Sequence, residues 1–170
     1  YECSLFWEFG TTYYFVIIKF IGKMMEKPSV LIIDDNEIDR AILKRAIRKT
    51  NLIDAIYEME DAPLALDFLD NYEELSAQEN FRPGILFIFV DIKMPKMNGI
   101  EFLSEFEKMK KNHEYLDVAV LSMYTASNEP NDKYESLKFG FVHSFFNKSL
   151  VKSKKFGIIL REHLLEHLSE

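Results

Sequence analysis

An unbroken apolar run in the middle of the chain, residues 85–90, is the feature that most limits how this sequence can fold. It ends at one carboxylate, Asp91, and a loop with Pro95 and Gly99 follows. An uncharged run of this length between breaking residues is typical of a strand that is buried on both faces. Asp91 would then lie at the carboxyl end of a central strand, the edge where open α/β sheets bind ligands.

Further segments predict the rest of the fold. Four apolar or β-branched segments bounded by polar or breaking residues predict strands, at residues 29–33, 55–59, 118–121 and 142–146. Apolar residues at helical spacing predict five helices, over residues 37–49, 63–69, 100–109, 132–139 and 153–168. Because crossovers between parallel strands are right-handed, this alternation predicts an α/β fold, a five-stranded parallel sheet with five helices on its two faces.

Composition excludes several classes of function. The chain has 170 residues and a formal net charge of −7, which disfavours nucleic acid as a partner because phosphates bind to a basic surface. A hydrophobic content of 48% supports a packed core. The single cysteine, Cys3, excludes an internal disulfide framework and a zinc site built from cysteines. A cytoplasmic location is the expectation from this cysteine usage.

The first 27 residues differ from the rest because they are rich in aromatic side chains. Residues 5–21 are mostly apolar, but Glu8 and Lys19 interrupt them, and a membrane span wants about 20 apolar residues. Glu2 and Glu8 also oppose a secretory signal, which has a basic start. We interpret residues 1–27 as an N-terminal extension, unstructured or a misassigned start, and residues 28–170 as the folded domain. A packed additional element and a membrane anchor are the alternatives.

Polar side chains stand where the predicted strands end. Asp34 and Asp35 follow the first strand, Asp91 the third, Ser122 the fourth, and Lys148 comes just after the fifth. The carboxyl ends of parallel strands share one edge of a sheet, so these side chains converge. Each alone has an ordinary explanation as a helix cap, a turn former or a surface charge. Their combination, in this order, indicates a functional site.

Three carboxylates at one edge repel each other by roughly a few kcal/mol per pair, and a divalent cation removes that cost. Oxygen ligands suit Mg²⁺, which also takes phosphate oxygens. A carboxylate beside Mg²⁺ can accept a phosphoryl group. Lys148 can neutralise the charge of that group, and Ser122 can donate a hydrogen bond to it. Phosphoryl transfer needs mainly positioning and charge neutralisation, and these residues supply both.

The motifs LIIDDNE, FVDIKMPKMNG, VAVLS and FFNK make residues 29–168 resemble a response-regulator receiver domain of two-component signalling, similar to the single-domain chemotaxis type. The resemblance implies a flavodoxin-like three-layer sandwich with strand order 2-1-3-4-5. It implies that Asp91 is the phosphoacceptor for a histidine kinase or a histidine phosphotransfer protein. It also implies that Mg²⁺ binds Asp34 or Asp35, Asp91 and the backbone carbonyl of Lys93.

The same resemblance assigns Ser122 and Lys148 to the phosphate and makes Phe145 an aromatic switch that turns inward when Ser122 moves. The face of the fourth helix, the fifth strand and the fifth helix would then change its affinity for an output protein. The candidate surface groups are Tyr134, Phe139, Phe141 and His143. We expect no membrane partner, and a homodimer stays open.

Two residues depart from the family pattern. The family usually has a proline after the lysine, with a cis bond that positions the lysine, and here Ser149 follows Lys148. A non-proline cis bond costs about 3–4 kcal/mol, so this bond is either trans or strained. The family usually has a small residue after the serine or threonine, whereas Met123 follows Ser122 and would crowd the phosphate.

Two other functions stay open. A phosphorylation-independent receiver would act as an interaction module and would not bind Mg²⁺. A Mg²⁺-dependent phosphohydrolase that resembles haloacid dehalogenases would need a second Asp two residues after the nucleophile, where this chain has Lys93. We therefore expect no enzymatic activity beyond phosphoryl transfer to the protein itself and autodephosphorylation.

A second pattern lies on the last helix. His163 and His167 are four residues apart, a spacing that can hold a metal ion. The pattern lacks a third ligand, so we interpret the pair as part of a solvated face.

Overall fold

The computed structural model describes residues 26–78 and 82–168. Five strands form one sheet in the order β2-β1-β3-β4-β5, and all neighbouring pairs are parallel. The strands are β1 (Glu26–Ile33), β2 (Ala55–Met59), β3 (Arg82–Val90), β4 (Val120–Thr125) and β5 (Val142–Asn147). This arrangement confirms the predicted parallel sheet and the strand order that the family resemblance implied.

Six α-helices lie within the described residues, rather than the five predicted from periodicity. They are α1 (Glu37–Arg48), α2 (Ala62–Asp70), α3 (Tyr72–Gln78), α4 (Gly99–Met109), α5 (Pro130–Leu137) and α6 (Lys154–Leu168). The additional helix is α3, which directly follows Asn71, the C-cap of α2. Its first residue, Tyr72, is buried against the rings of Tyr57 and Phe68, and this packing holds a segment whose other residues are mostly polar.

The sheet has a core on each face, because successive side chains of a strand point to opposite sides. Leu31, Ile33, Ile88 and Val90 pack with α2 and α4 on one face. Val30, Ile32, Phe87 and Phe89 pack with α1 and α6 on the other. Central strands that are apolar on both faces are typical of a parallel sheet covered on both sides. The result is a three-layer sandwich in which the residues after β1 and β3 meet at one edge.

The fourth strand lies further along the chain than predicted. Val118, the predicted start, belongs to a 3₁₀ helix (Glu114–Val118) and is exposed. The strand runs through Ser122 to Thr125, and all six of its residues are buried. The predicted end at Ser122 was therefore wrong, because the polar atoms of Tyr124 and Thr125 made a buried stretch look like a loop.

The loop after β3 folds back tightly onto the end of that strand. Asn98 caps α4, accepting hydrogen bonds from the backbone of Ile100 and Glu101, while the Glu101 side chain accepts one from the backbone of Asn98. The Gly99 N–H donates to the Ile92 carbonyl at 2.9 Å. A Cβ atom at Gly99 would lie 2.4 Å from the Asp91 carbonyl oxygen, so the fold requires glycine here. This close contact fixes the position of the Asp91 backbone at the end of β3.

Most of the predicted extension, residues 1–25, lies outside the described residues. The strand β1 begins at Glu26, before the predicted start of the domain at residue 28. No helix in the described ranges has the length and apolar content that a membrane crossing requires.

Candidate functional site

Three carboxylates meet at the carboxyl edge of the sheet, as the sequence predicted. One oxygen from each of Asp34, Asp35 and Asp91 lies within 4.8 Å of the others. Asp34 and Asp91 are buried, whereas Asp35 is exposed. The Asp91 N–H donates to the Ile33 carbonyl at 2.9 Å, and this hydrogen bond ties the end of β3 to the end of β1. The cluster therefore follows directly from the pairing of the two central strands.

Lys148 also reaches this cluster, from the first residue after β5. Its Nζ atom lies 2.7 Å from Asp91 Oδ2, 2.7 Å from Asp34 Oδ2 and 3.1 Å from Asp39 Oδ2. The side chain is only 8% exposed. Burial opposes the charge of Lys148, but its contacts with Asp34 and Asp91 outweigh burial and raise the pKa of the amine. Lys148 is therefore a cation held among three carboxylates.

The carboxyl group of Asp34 is not fully satisfied by these contacts. Burial raises the pKa of Asp34 from 3.8 to about 6, against the opposing effects of Lys148 and of the Asn36 N–H, which donates to Oδ1 at 3.0 Å. The Oδ2 atom is buried, and its contact among the described residues is the ion pair with the Lys148 amine at 2.7 Å. A buried carboxylate whose charge is disfavoured by burial, next to two more carboxylates, fits a divalent cation.

The carboxylate of Asp91 is held at both oxygens. The Ile92 N–H donates to Oδ1 at 2.7 Å, and the Lys148 amine donates to Oδ2 at 2.7 Å. Only 7% of the Asp91 side chain is exposed. Two donors on a buried carboxylate fix its orientation, so Asp91 presents a single geometry at the sheet edge.

Ser122 points away from the carboxylates. It is fully buried, and its Oγ atom lies 3.1 Å from His163 Nε2 on α6, on the face of the sheet that α1 and α6 cover. The hydroxyl at the end of β4 belongs instead to Thr125, which is also buried. Val90 pairs in register with Met123, so Asp91 lies opposite Tyr124 and one residue away from the position opposite Thr125. The sequence analysis missed Thr125, although the small Ala126 after it matches the family pattern.

Asp39 and Tyr124 are two further residues that the sequence analysis did not find. Asp39, in the first turn of α1, contributes the third carboxylate around the Lys148 amine. The ring of Tyr124 lies under the same amine, with its centroid 5.6 Å from Nζ. No spacing rule connects residues from different elements, so only the folded chain brings these two to the lysine.

Phe145 is half-buried and pairs in register with Met123 of β4. It lines a cavity of about 290 Å³ together with Thr125, Ile92 and Pro130. The Lys133 amine lies 5.5 Å from the centre of its ring. The cavity gives this ring space beside the end of β4, which is the property that a switch residue needs.

Lys148 is positioned without a proline. The described residues contain no cis peptide bond, so the bond from Lys148 to Ser149 is trans. Asn147 accepts a hydrogen bond from the Ser149 N–H at 2.8 Å and caps a 3₁₀ helix (Lys148–Lys152). Its amide also donates to Asn128 at 2.7 Å. Asn147 thereby holds the turn that aims the lysine.

The side chain of Lys93 points away from the carboxylates and pairs with Glu129 at 2.8 Å. The assignment of its backbone carbonyl to a metal ion stays a prediction.

A comparison with known families identifies the domain. The model of the response regulator receiver domain matches residues 30–156. The chain belongs to the response regulator receiver domain family.

Individual relatives agree with this assignment. A sensor histidine kinase, CheAY from Helicobacter pylori, is 32% identical over 102 residues, which cover 58% of this chain and 11% of that protein. The two-component response regulator ARR3 from Arabidopsis thaliana is 31% identical over 94 residues, 55% of this chain and 38% of that protein. This chain therefore spans less than half the length of both relatives.

A solved structure has the same fold. The receiver domain of the histidine kinase CKI1 from Arabidopsis thaliana, crystallised with Mg²⁺ and BeF₃⁻, superposes with a TM-score of 0.61. The alignment covers 83% of this chain and 92% of that one at 21% identity.

Proposed function

We propose that this receiver domain accepts a phosphoryl group on Asp91 from a phosphohistidine donor, with Mg²⁺ bound, and that phosphorylation changes a protein-binding face. One observation carries the proposal: Asp91 is a buried, oriented carboxylate that contacts Lys148 and lies within 4.8 Å of two more carboxylates. The donor would be a histidine kinase or a histidine phosphotransfer protein. Members of the family that carry this site transfer phosphate in that way, as the sequence resemblance implied.

The metal ligands in this proposal are Asp34, Asp35, Asp91 and the backbone carbonyl of Lys93. Asp34 supports it most strongly, because its carboxylate is buried, lies beside two others and is disfavoured in its charged form by burial. The Mg²⁺-bound crystal structure of the CKI1 receiver shows that a domain of this fold holds the ion. When bound, Mg²⁺ offsets the negative charge of the carboxylates and of the phosphoryl oxygens.

The transfer itself needs little movement of the protein. The Ile92 N–H holds Oδ1, so we assign the attack to Oδ2, the oxygen beside Lys148. A bond forms between Oδ2 and phosphorus while the bond between phosphorus and the donor imidazole nitrogen breaks, and the imidazole leaves with that electron pair. The Lys148 amine then follows the phosphoryl oxygens and offsets their charge.

We assign to Thr125 the hydroxyl role that the sequence analysis gave to Ser122. Thr125 Oγ1 accepts a hydrogen bond from the Ser127 N–H at 3.1 Å, which leaves the hydroxyl hydrogen to donate to a phosphoryl oxygen. Ala126 after it is small, so the crowding expected from Met123 does not arise. Movement of Thr125 would open space for Phe145 to turn into the adjoining cavity.

The output surface in this proposal is the face of α5, β5 and α6. Tyr134 on α5 is 64% exposed, and a large exposed aromatic side chain suits a partner contact. Phosphorylation turns the singly charged carboxylate of Asp91 into an acyl phosphate with nearly two negative charges, and the shift of Thr125 and Phe145 passes this change to the face. A large change in occupancy requires a partner that prefers the phosphorylated form by several kcal/mol.

One relative is a protein-glutamate methylesterase from Vibrio vulnificus, and this chain spans 22% of its length. For the chain itself we propose no chemistry beyond phosphorylation of Asp91 and hydrolysis of the aspartyl phosphate.

Incubation with a small acyl phosphate, with and without Mg²⁺, tests the proposal through the intact mass of the protein. The wild type should gain one phosphoryl group only with Mg²⁺, and Asp91→Asn should gain none. Thr125→Ala should slow the gain, whereas Ser122→Ala should leave it nearly unchanged. Equal adducts in the wild type and in Asp91→Asn would exclude Asp91 as the acceptor. If Ser122→Ala slowed the gain of the phosphoryl group more than Thr125→Ala did, the assignment of the hydroxyl role to Thr125 would be wrong.

A further inference from the structure

Three of the four histidines in the chain gather on one side of the molecule, away from the carboxylate cluster. The ring centroids of His163 and His167 on α6 are 5.1 Å apart. His143 on β5 lies against them, with its centroid 5.2 Å from that of His167. The fold therefore adds a third imidazole to the helical pair, which the spacing on α6 alone could not reveal.

A carboxylate completes the group. One ligand atom from each of His163, Glu166 and His167 lies within 4.8 Å of the others. Two imidazole nitrogens and a carboxylate oxygen are a common ligand set for Zn²⁺, which binds them at about 2.0–2.2 Å in a tetrahedron. Ligand atoms in such a tetrahedron are about 3.3 Å apart, so small side-chain rotations close the site. The ring of His143 stands beside this set, 5.2 Å from that of His167, but lies outside it, so a water molecule would complete the tetrahedron.

The most buried member, His163, has the support that metal-binding histidines need. Its Nε2 atom lies 3.1 Å from Ser122 Oγ, while Nδ1 has only a long contact of 3.4 Å with Ser144 Oγ. A hydrogen bond at one ring nitrogen fixes the tautomer and directs the other nitrogen to the ion. This gives Ser122 a role that its position away from Asp91 otherwise leaves unexplained.

We propose that His163, Glu166 and His167 form a second cation site, selective for a borderline transition metal such as Zn²⁺, on the part of α6 that lies against His143 of β5. The ligands differ in kind from the oxygen-only cluster at Asp91, since imidazole nitrogen suits Zn²⁺ and carboxylate oxygen suits Mg²⁺. The site lies on α6 next to β5, and both of these elements belong to the proposed output face. Its occupancy would stiffen that face whether or not Asp91 is phosphorylated.

Calorimetric titration of the full chain with ZnCl₂, in a buffer with saturating Mg²⁺, tests this site separately from the carboxylates. The wild type should bind one Zn²⁺ at this site, and His167→Ala and Glu166→Gln should each weaken binding by at least tenfold. His113→Ala is the matched control, because His113 pairs with Asp70 elsewhere and should leave the affinity unchanged. Asp91→Asn should also leave it unchanged, which makes the result independent of phosphorylation.

Thermal melting in EDTA shows whether each variant folds as the wild type does. If His167→Ala does not fold, Glu166→Gln decides the matter, because Glu166 is exposed and its substitution leaves the core intact. Absence of Zn²⁺ binding by the wild type would overturn the proposal. Zn²⁺ binding that His167→Ala and Glu166→Gln leave unchanged would also overturn it, and would place the ion elsewhere in the chain.

Discussion

The buried carboxylate of Asp34 should lower the stability of the metal-free protein at neutral pH, and this contribution should shrink in mild acid. Burial raises its pKa from 3.8 to about 6, a shift of about two units, and each unit corresponds to about 1.4 kcal/mol. The folded protein binds this proton more tightly than the unfolded chain does. The contribution of Asp34 to stability therefore becomes less unfavourable as the pH falls through 6, and its full cost of about 3 kcal/mol is present above that pH.

Asp34→Asn removes the titrating group and should remove this cost. In EDTA at pH 8, we expect the variant to be more stable than the wild type by up to about 3 kcal/mol. At pH 5 the advantage should fall to about half of that value, because the wild-type carboxyl is then mostly protonated in the folded state. Urea titrations at both pH values measure the free energy of unfolding. Saturating Mg²⁺ should stabilise the wild type and leave the variant nearly unchanged.

Asp67→Asn is the control, because this carboxylate on α2 is exposed and carries no burial cost. A difference between Asp34→Asn and the wild type that is the same at pH 8 and at pH 5 would refute the reasoning. It would mean that the effect comes from packing or hydrogen bonding and not from the buried charge.

Three further substitutions test residues that hold the site residues in position. Gly99→Ala should destabilise the fold by about 1–3 kcal/mol in urea, because its Cβ would meet the Asp91 carbonyl, whereas Gly157→Ala, with open space around it, should not. Asn98→Ala should cost about 1 kcal/mol through the lost helix cap, measured in the same way. Asn147→Ala should slow phosphorylation by acyl phosphate severalfold while leaving Mg²⁺ affinity nearly unchanged, because it releases the turn that aims Lys148. An unchanged rate would show that Asn147 is not needed to position Lys148.

Much of the fold could be predicted because its central strands are apolar on both faces and end at charged residues. The run before Asp91 is short and lies between breaking residues, which favours a strand over a buried helix, and the alternation of strands and helices then predicts a parallel sheet. The meeting of Asp34, Asp35, Asp91 and Lys148 follows from this topology alone. Their proximity could be predicted without knowledge of tertiary contacts, because all strands of a parallel sheet end at the same edge.

The remaining parts of the site depend on contacts between elements that are distant in sequence. Ser122 has the residue type expected at a strand end, but its hydroxyl meets His163, which lies 41 residues later on α6. The sequence analysis missed Thr125 because the polar atom of Tyr124 suggested a loop after Ser122. Tyr124 is in fact fully buried, and the strand continues to Thr125. Asp39 reaches Lys148 only because α1 starts beside the end of β5. Periodicity describes single elements, so it cannot report such pairs.

The site of phosphorylation is tested most directly by locating it in the chain. The protein is treated with acyl phosphate and Mg²⁺, the aspartyl phosphate is reduced with borohydride to homoserine, and the digested protein is sequenced by tandem mass spectrometry. The account predicts homoserine at position 91 and at no other aspartate. Homoserine at Asp34, Asp35 or Asp39 instead, with an unmodified Asp91, would contradict the central claim.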